Sequence, residues 1–270
     1  MVSHTARLVA RAGRQVHSDA ITARWASLKS KVYRDVATLA RNVDLLLVFG
    51  GDGTMLRAAG EAAGLETPLL GINVGSLGFL TDVNLNGIPA ALDSIWNGEF
   101  TLESRPLIEV RGKCDNTSVR RRALNDFVIS RGLESRLIAL DVDVDGEPLT
   151  RYRCDGLIIS SPTGSTAYSL SAGGAVVHPG AGVFAITPIC PHTLSNRSVI
   201  VNLGSKINVK VVSSRPEVIL NADGQCVSEM SIGDVVTISR SRQGVRLMHL
   251  LGRSFFDTLR RKLHWSGANV

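Results

Sequence analysis

Residues 49–54, Phe-Gly-Gly-Asp-Gly-Thr, close an apolar run and open a helix-prone one, so the Asp52 carboxylate sits among three glycines at a strand-to-helix corner. Glycines there let the backbone approach a ligand and adopt positive φ, and a helix start offers N–H groups to an anion. As a direct phosphate contact Asp52 is misplaced, because like charges repel. It suits a general base toward a hydroxyl, a ligand for a phosphate-bound Mg²⁺, or an acceptor from a ribose. The alternative is a glycine turn with Asp52 as the helix cap.

Residues 155–174, DGLIISSPTGSTAYSLSAGG, become too polar and glycine-rich after their first strand to be a core element. Small hydroxyl residues with Gly164 and Tyr168 can wrap a nucleotide closely, and Asp155 at the head can accept from an amide or amine. In ALNDFVISR, residues 123–131, Asn125 and Asp126 are adjacent in a strand-like run. Adjacent strand residues face opposite ways, so at least one of the two points toward a site or a covered surface. NADGQ, residues 221–225, reads as a type I′ hairpin turn at Asp223-Gly224. His178 and His192 read as structural.

Other chemistry is excluded. DVDVDG, residues 141–146, copies the start of a calcium loop, but its twelfth position is Tyr152 instead of a bidentate glutamate, and its alternation makes a strand. The chain has no GxxxxGK[ST], HExxH or GxSxG and no protein-kinase signature. Cys114, Cys154, Cys190 and Cys226 are scattered without metal-ligand spacing, which reads as reduced thiols.

The elements that position these residues change character along the chain. The spacing of Ile21, Trp25, Leu28, Val32, Val36 and Leu39 predicts a helix over about 18–40. A buried strand at 44–49, a helix at 54–63 and a strand at 68–73 follow, which is α/β with a parallel sheet. A further helix at 88–98 closes this part. Strand-like runs then dominate, at 107–110, 124–130, 137–144, 157–160, 207–212, 218–220 and 235–238. Residues 254–265 return to a helical pattern with Phe255, Leu259 and Leu263 on one face. The expected fold is an α/β N-terminal domain with a parallel sheet (1–100, completed by 241–270), a mostly β domain (101–240), and a C-terminal helix docking back on the first domain.

At 270 residues the chain can bury a large core, and no apolar run approaches the roughly 20 residues that span a bilayer. The formal charge of +6 is dispersed, with local runs only at 120–122 and 260–262 and no nucleic-acid motif. Phosphate-bearing small molecules fit better than nucleic acid or a membrane.

Taken in order, GGDGT, GINVGSLGFLTD (71–82), ALNDFVISR, DGLIISSPTGSTAYSLSAGG, TPICPHTLS (187–195) and DGQ closely resemble the bacterial NAD kinase family. The resemblance runs from about residue 43 to the end. GGDG alone is shared with diacylglycerol and sphingosine kinases and with phosphofructokinases, whereas the PTGSTAYS and TPICPH blocks are more specific. The resemblance implies phosphorylation of the adenosine-ribose 2′-hydroxyl of NAD to give NADP, with ATP or polyphosphate as donor and a divalent metal, Mg²⁺, carried mainly by the donor phosphates. It also implies NAD bound between the two domains, and a cytoplasmic homodimer or homotetramer.

By motif, Asp52 becomes the base or hydroxyl-orienting carboxylate, with Gly53 and Thr54 beside it. Asn125 and Asp126 bind the NAD nucleosides, Asp155 reads an amide or amine edge, and Thr166, Ala167, Tyr168 and Ser171 line the dinucleotide. Phe79 lies near the adenosine, and Asp223 and Gln225 near the phosphate donor. Two departures stand out. The chain opens with MVSHTARLVARAGRQV where the family usually has a β-strand and an NP turn, so an exposed sheet edge is expected. Cys154 stands where glycine is common and is expected to restrict the turn at Asp155. A lipid or sugar kinase sharing GGDGT, and a catalytically weak NAD(P)-binding sensor, are the alternatives.

Overall fold

The computed structural model describes residues 1–75, 78–133, 136–193, 197–212, 217–252 and 254–265. Ser76 and Leu77 of the 71–82 block, and Leu194 and Ser195 of the 187–195 block, lie outside the described residues. Two compact units result: residues 1–104 with 244–270, and residues 105–243.

The first unit opens with α1 (Val2–Arg11), β1 (His17–Asp19), α2 (Ala20–Ala26), β2 (Lys31–Tyr33) and α3 (Val36–Ala40). The single helix expected over 18–40 is therefore wrong. Asp19 caps α2 by accepting the N–H of Ile21 and Thr22 at 3.0 Å, and Ser27 ends it in the left-handed region at φ 49°. Asp35 caps α3 through the N–H of Thr38 at 2.7 Å, and β1 pairs with β2 in parallel. Two capping aspartates outweigh an apolar periodicity that is mostly not buried: Trp25 is 84 % exposed.

The α/β frame follows: β3 (Leu46–Gly50), α4 (Asp52–Glu61), β4 (Leu69–Asn73), β5 (Val83–Asn84) and α5 (Ile88–Trp96). β3 and β4 are parallel, with Leu46 opposite Leu69 and Gly50 opposite Asn73, and β5 also runs parallel to β4. Among the described residues β3 has β4 on one side and ends the sheet, so it is an edge strand. β4 is buried throughout, and Leu70, Ile72, Val83, Ile88, Ala91, Leu92 and Met248 form the core beneath it.

The second unit is mostly β: β6 (Phe100–Cys114, entering it at Arg105), β7 (Thr117–Ala123), β8 (Asp126–Arg131), β9 (Ile138–Val144), β10 (Glu147–Cys154), β11 (Gly156–Ser160), then one helical turn, α6 (Tyr168–Ser171). β12 (Val183–Ile189), β13 (Val199–Asn202), β14 (Ile207–Val211), β15 (Val218–Ala222), β16 (Gln225–Met230) and β17 (Val235–Leu250) complete it. One antiparallel sheet has the order β13-β12-β11-β8-β15-β16, and β10, β9, β14 and β17 pair antiparallel in another. Alternating side chains of both sheets, from Phe127 and Ile159 to Leu140 and Val209, share one apolar core. Asp141 to Val144 lie in β9, opposite β10, as the alternating pattern requires.

β17 carries the chain back into the first unit, where Leu247 pairs with Leu69 of β4, and α7 (Phe255–Lys262) follows. Ser254 caps α7 through the N–H of Asp257, and three basic residues fill its last turn, favourable to the helix dipole. No helix among the described residues is long and apolar enough to cross a membrane.

Candidate active site

In the first unit the β3–α4 corner carries Asp52 in the first turn of α4, where the helix dipole favours a carboxylate. None of the three glycines around it has the positive φ expected of them. Gly50 is required for space, since a Cβ there would collide with the side chain of Thr54. At Gly51 and Gly53 an added Cβ would meet nothing within 4 Å. Neither packing nor backbone strain demands glycine at those two positions, so the bare backbone faces open space suited to a closely approaching ligand.

Asp52 is not waiting alone. One carboxylate oxygen accepts the N–H of Phe79 at 2.9 Å and the other that of Leu80 at 3.0 Å. Gly78 lies so close that any Cβ would overlap the carboxylate. The 78–80 turn thus wraps Asp52, leaving each oxygen further lone-pair capacity toward a substrate hydroxyl. The Phe79 ring lies 6.4 Å from the Phe255 ring and 5.9 Å from the Lys262 ammonium, both on α7. The C-terminal helix therefore docks on the loop that orients Asp52.

In the second unit Asn125, Asp126, Asp223 and the 161–164 segment gather around the start of β8. The Asp223 carboxylate accepts the N–H of Leu124 and Asn125 at 2.8 Å each and of Asp126 at 3.2 Å, and its own N–H donates to the Asp126 carbonyl at 3.1 Å. Asp223 and Gly224 have φ of 46° and 76° and form the hairpin tip between β15 and β16. The type I′ reading of this turn holds in its two positive φ values, but Asp223 does more than turn the chain, because it pins residues 124–126. Gln225, next to it, is exposed.

Asp126 is 4 % exposed. Burial, and secondarily the Asp223 charge, push its carboxyl up to about 7. Burial raises Asp223 as well, against the three N–H groups that favour its charge. Of this pair Asp223 is the better placed to hold the charge, since three N–H donors gather on its carboxylate, and Asp126 takes up a proton more readily than an ordinary aspartate.

The 160–171 segment lies against the same turn. The Asn125 carbonyl accepts the N–H of Ser161 at 2.8 Å, Ser161 Oγ donates to the Leu124 carbonyl at 2.5 Å, and a Cβ on Gly164 would run into the Asn125 carbonyl. Inward hydroxyls fasten the segment: Ser165 Oγ bridges Pro162 and Val177, and Ser169 meets Thr187 at 3.0 Å. Thr166 Oγ1 bonds back to the Thr163 carbonyl at 3.3 Å, Ala167 is half-buried, and Tyr168 and Ser171 are exposed.

Asp155, expected to read an amide or amine, is paired with Arg131, Nε to Oδ1 at 2.7 Å. Cys154 stands next to this turn. It ends β10 with its side chain in the core, and burial pushes its thiol up to about 12. His178 accepts the Gly180 N–H at 3.1 Å, and His192 is exposed, its N–H donating to the Arg153 carbonyl at 2.9 Å.

Arg105 and Arg131 were not picked out by motif. Arg105 is buried and donates to Thr163 Oγ1 at 3.2 Å, and its signal in sequence is only an arginine opening the apolar run RPLIEV. Among the described residues no three His, Cys, Asp or Glu side chains are grouped to hold a metal ion.

Residues 5–100 match the family model of the ATP-NAD kinase N-terminal domain, and residues 124–250 that of the ATP-NAD kinase C-terminal domain. An NAD kinase of Geobacter metallireducens is 41 % identical over 225 residues, 82 % of this chain and 79 % of that protein. One from Paracidovorax citrulli is 41 % identical over 265 residues, 97 % of this chain and 88 % of that protein. Among solved structures, yeast NADH kinase complexed with NADH has a TM-score of 0.88 at 27 % identity, covering 99 % of this chain and 85 % of that one. An NAD kinase from Archaeoglobus fulgidus in complex with ATP has a TM-score of 0.72 at 25 % identity, covering 93 % of this chain and 100 % of that one. With both domains matched in order, and relatives this similar over most of its length, the chain belongs to the NAD kinase family.

Proposed function

We propose that the chain transfers the terminal phosphoryl group of ATP to the 2′-hydroxyl of the adenosine ribose of NAD, giving NADP and ADP. NAD kinase activity follows from family membership, and the C-terminal domain match separates it from the lipid and sugar kinases that share only GGDGT. The assignment of individual residues rests on the Asp52 corner. Residues 1–100 with 241–270 form the domain that carries the transfer carboxylate, and 101–240 the domain that holds the dinucleotide.

In the transfer the 2′-oxygen bonds to the terminal phosphorus, in line with the bridging oxygen that leaves on ADP. Asp52 orients the hydroxyl and accepts its proton through oxygen lone pairs that the Phe79 and Leu80 amides leave available. Gly53 and Thr54 keep the helix start open to the reacting groups, and Phe79 lies near the adenosine. Asn125 and Asp126 engage the nucleosides, and Thr166, Ala167, Tyr168 and Ser171 line the dinucleotide. Asp155 fixes the Arg131 head group beside the amide or amine edge it would read. Asp223 and Gln225 are assigned to the phosphate donor.

Mg²⁺ is assigned mainly to the donor phosphates, whose charge it neutralises. ATP is the donor, with polyphosphate a second candidate, and the enzyme works as a homodimer or homotetramer in the cytoplasm. The observation that carries the residue assignment is a helix-start carboxylate oriented by two amides beside two glycines that packing does not require.

The test is NADP formation from NAD and Mg-ATP, read by an NADP-specific dehydrogenase, in wild type and Asp52→Asn. A fall of roughly a hundredfold or more in kcat at near-normal NAD affinity is expected, the scale of general-base catalysis. Equal turnover by the variant removes Asp52 from the chemistry. NAD binding without product from wild type would instead favour the sensor reading.

A further inference from the structure

The loop that wraps Asp52 is itself tied down two residues beyond Leu80. The Asp82 N–H donates to the Gly71 carbonyl at 3.0 Å, and Asp82 Oδ2 lies 2.8 Å from Nδ1 of His249, near the end of β17. The other ring nitrogen, Nε2, lies 3.2 Å from Oε2 of Glu103 in β6. All three belong to the first unit. The imidazole and the Asp82 carboxylate are largely buried, at 19 % and 11 % exposure, and Glu103 is at 34 %.

Between this anchor and Asp52 the main chain has little freedom. A Cβ at Gly71 would meet the Leu80 carbonyl at 2.5 Å and the Thr81 Cα at 2.9 Å, so residues 80–81 lie directly on β4. β5 begins at Val83 and pairs with Ile72. A displacement at Asp82 is therefore transmitted to Leu80 and Phe79, whose N–H groups set the orientation of the Asp52 carboxylate.

We propose that His249 is a positioning residue for phosphoryl transfer: hydrogen-bonded to Asp82 and flanked by Glu103, it fixes the 78–82 loop and so the two amides that aim Asp52. The proposal rests on the reading of Asp52 as the transfer carboxylate. His249 acts through Asp82, and Glu103 lies beside the opposite nitrogen as a charged neighbour.

Amide side chains separate the two contacts. The amide nitrogen of asparagine falls where Nδ1 lies in histidine, and that of glutamine where Nε2 lies. His249→Asn keeps a donor to Asp82, while His249→Gln places its amide on the Glu103 side and His249→Ala offers no donor to either. Steady-state kinetics are measured on the three full-length variants and Asp52→Asn, together with hydrogen exchange of the Phe79 and Leu80 amides by NMR.

The expected result is kcat within about threefold of wild type for His249→Asn and a loss of tenfold or more for His249→Gln and His249→Ala, with KM for NAD within about twofold throughout; a misplacement of about 1 Å can cost a hundredfold in rate. Exchange at Phe79 and Leu80 should remain slow in the Asn variant and accelerate in the other two. Wild-type exchange in His249→Ala would overturn the proposal, as would equal losses of kcat in the Asn and Gln variants that merely follow their melting temperatures. Wild-type kcat in Asp52→Asn would sink the Asp52 reading instead, and the exchange data would still show whether His249 holds the loop.

Discussion

The Asp223 carboxylate accepts the main-chain N–H of Asn125 at 2.8 Å, across 98 residues of sequence. With the N–H groups of Leu124 and Asp126 it forms a cradle that holds the turn entering β8. Asp223→Ala leaves three donors without their acceptor. It should lower stability by about 3 kcal/mol and weaken NAD binding, measured by urea denaturation and calorimetry. Asp223→Asn keeps an oxygen and tolerates the positive φ, so it should lose less than Asp223→Ala. A loss of less than about 0.5 kcal/mol in Asp223→Ala would mean that the cradle contributes nothing.

Asp126 predicts a pH dependence whose sign follows from its raised folded-state value of about 7 against 3.8 for the ordinary group. Below about pH 4 it is protonated in both states, and its contribution is fully present. Between 4 and 7 the unfolded chain has lost the proton that the folded chain retains, so stability falls as pH rises, and above 7 the loss is complete. Asp126→Asn, neutral at every pH, should be more stable relative to wild type at pH 8 than at pH 4, by on the order of a few kcal/mol. Parallel denaturation curves at the two pH values would refute this.

Gly78 tests the orientation of Asp52 without altering its chemistry. Because any Cβ at Gly78 would overlap the Asp52 carboxylate, Gly78→Ala must push the loop or the carboxylate aside. A drop in kcat of at least roughly tenfold is expected with Asp52 intact, on the same geometric argument as a small misplacement of a catalytic group. This is a useful companion to Asp52→Asn, whose amide NH₂ would face the N–H of Phe79 or Leu80 and so disturb the loop as well. Wild-type turnover by Gly78→Ala would show that the amide clamp is irrelevant to the reaction.

Gly164 meets the Asn125 carbonyl, and main chain on both sides leaves little room to yield. Gly164→Ala should destabilise by about 1–3 kcal/mol, the usual scale of overpacking, and raise KM for NAD more than it lowers kcat. A thermal melt and a Michaelis curve check both parts. An unchanged melting temperature would mean that the 160–164 segment does not bear on the 124–126 turn.

What the sequence determined by itself was local or compositional. Asp52 among glycines at a strand end, the parallel β3 and β4, the alternation that makes 138–144 a strand, and the helix at 255–262 are all written in neighbouring residues. The periodic run at 18–40 shows the limit of that legibility, because Asp19, Ser27 and Asp35 redirect a chain whose apolar residues are only partly buried. Partnerships across the chain came only from tertiary structure. The amides of Phe79 and Leu80 on Asp52, Asp223 on Asn125, Arg131 on Asp155 and His249 on Asp82 join residues 24 to 167 positions apart. Motif residues announce which chemistry is possible. Which lone pairs are already occupied, and which carboxyl keeps its proton, depends on burial and on donors that sequence distance hides.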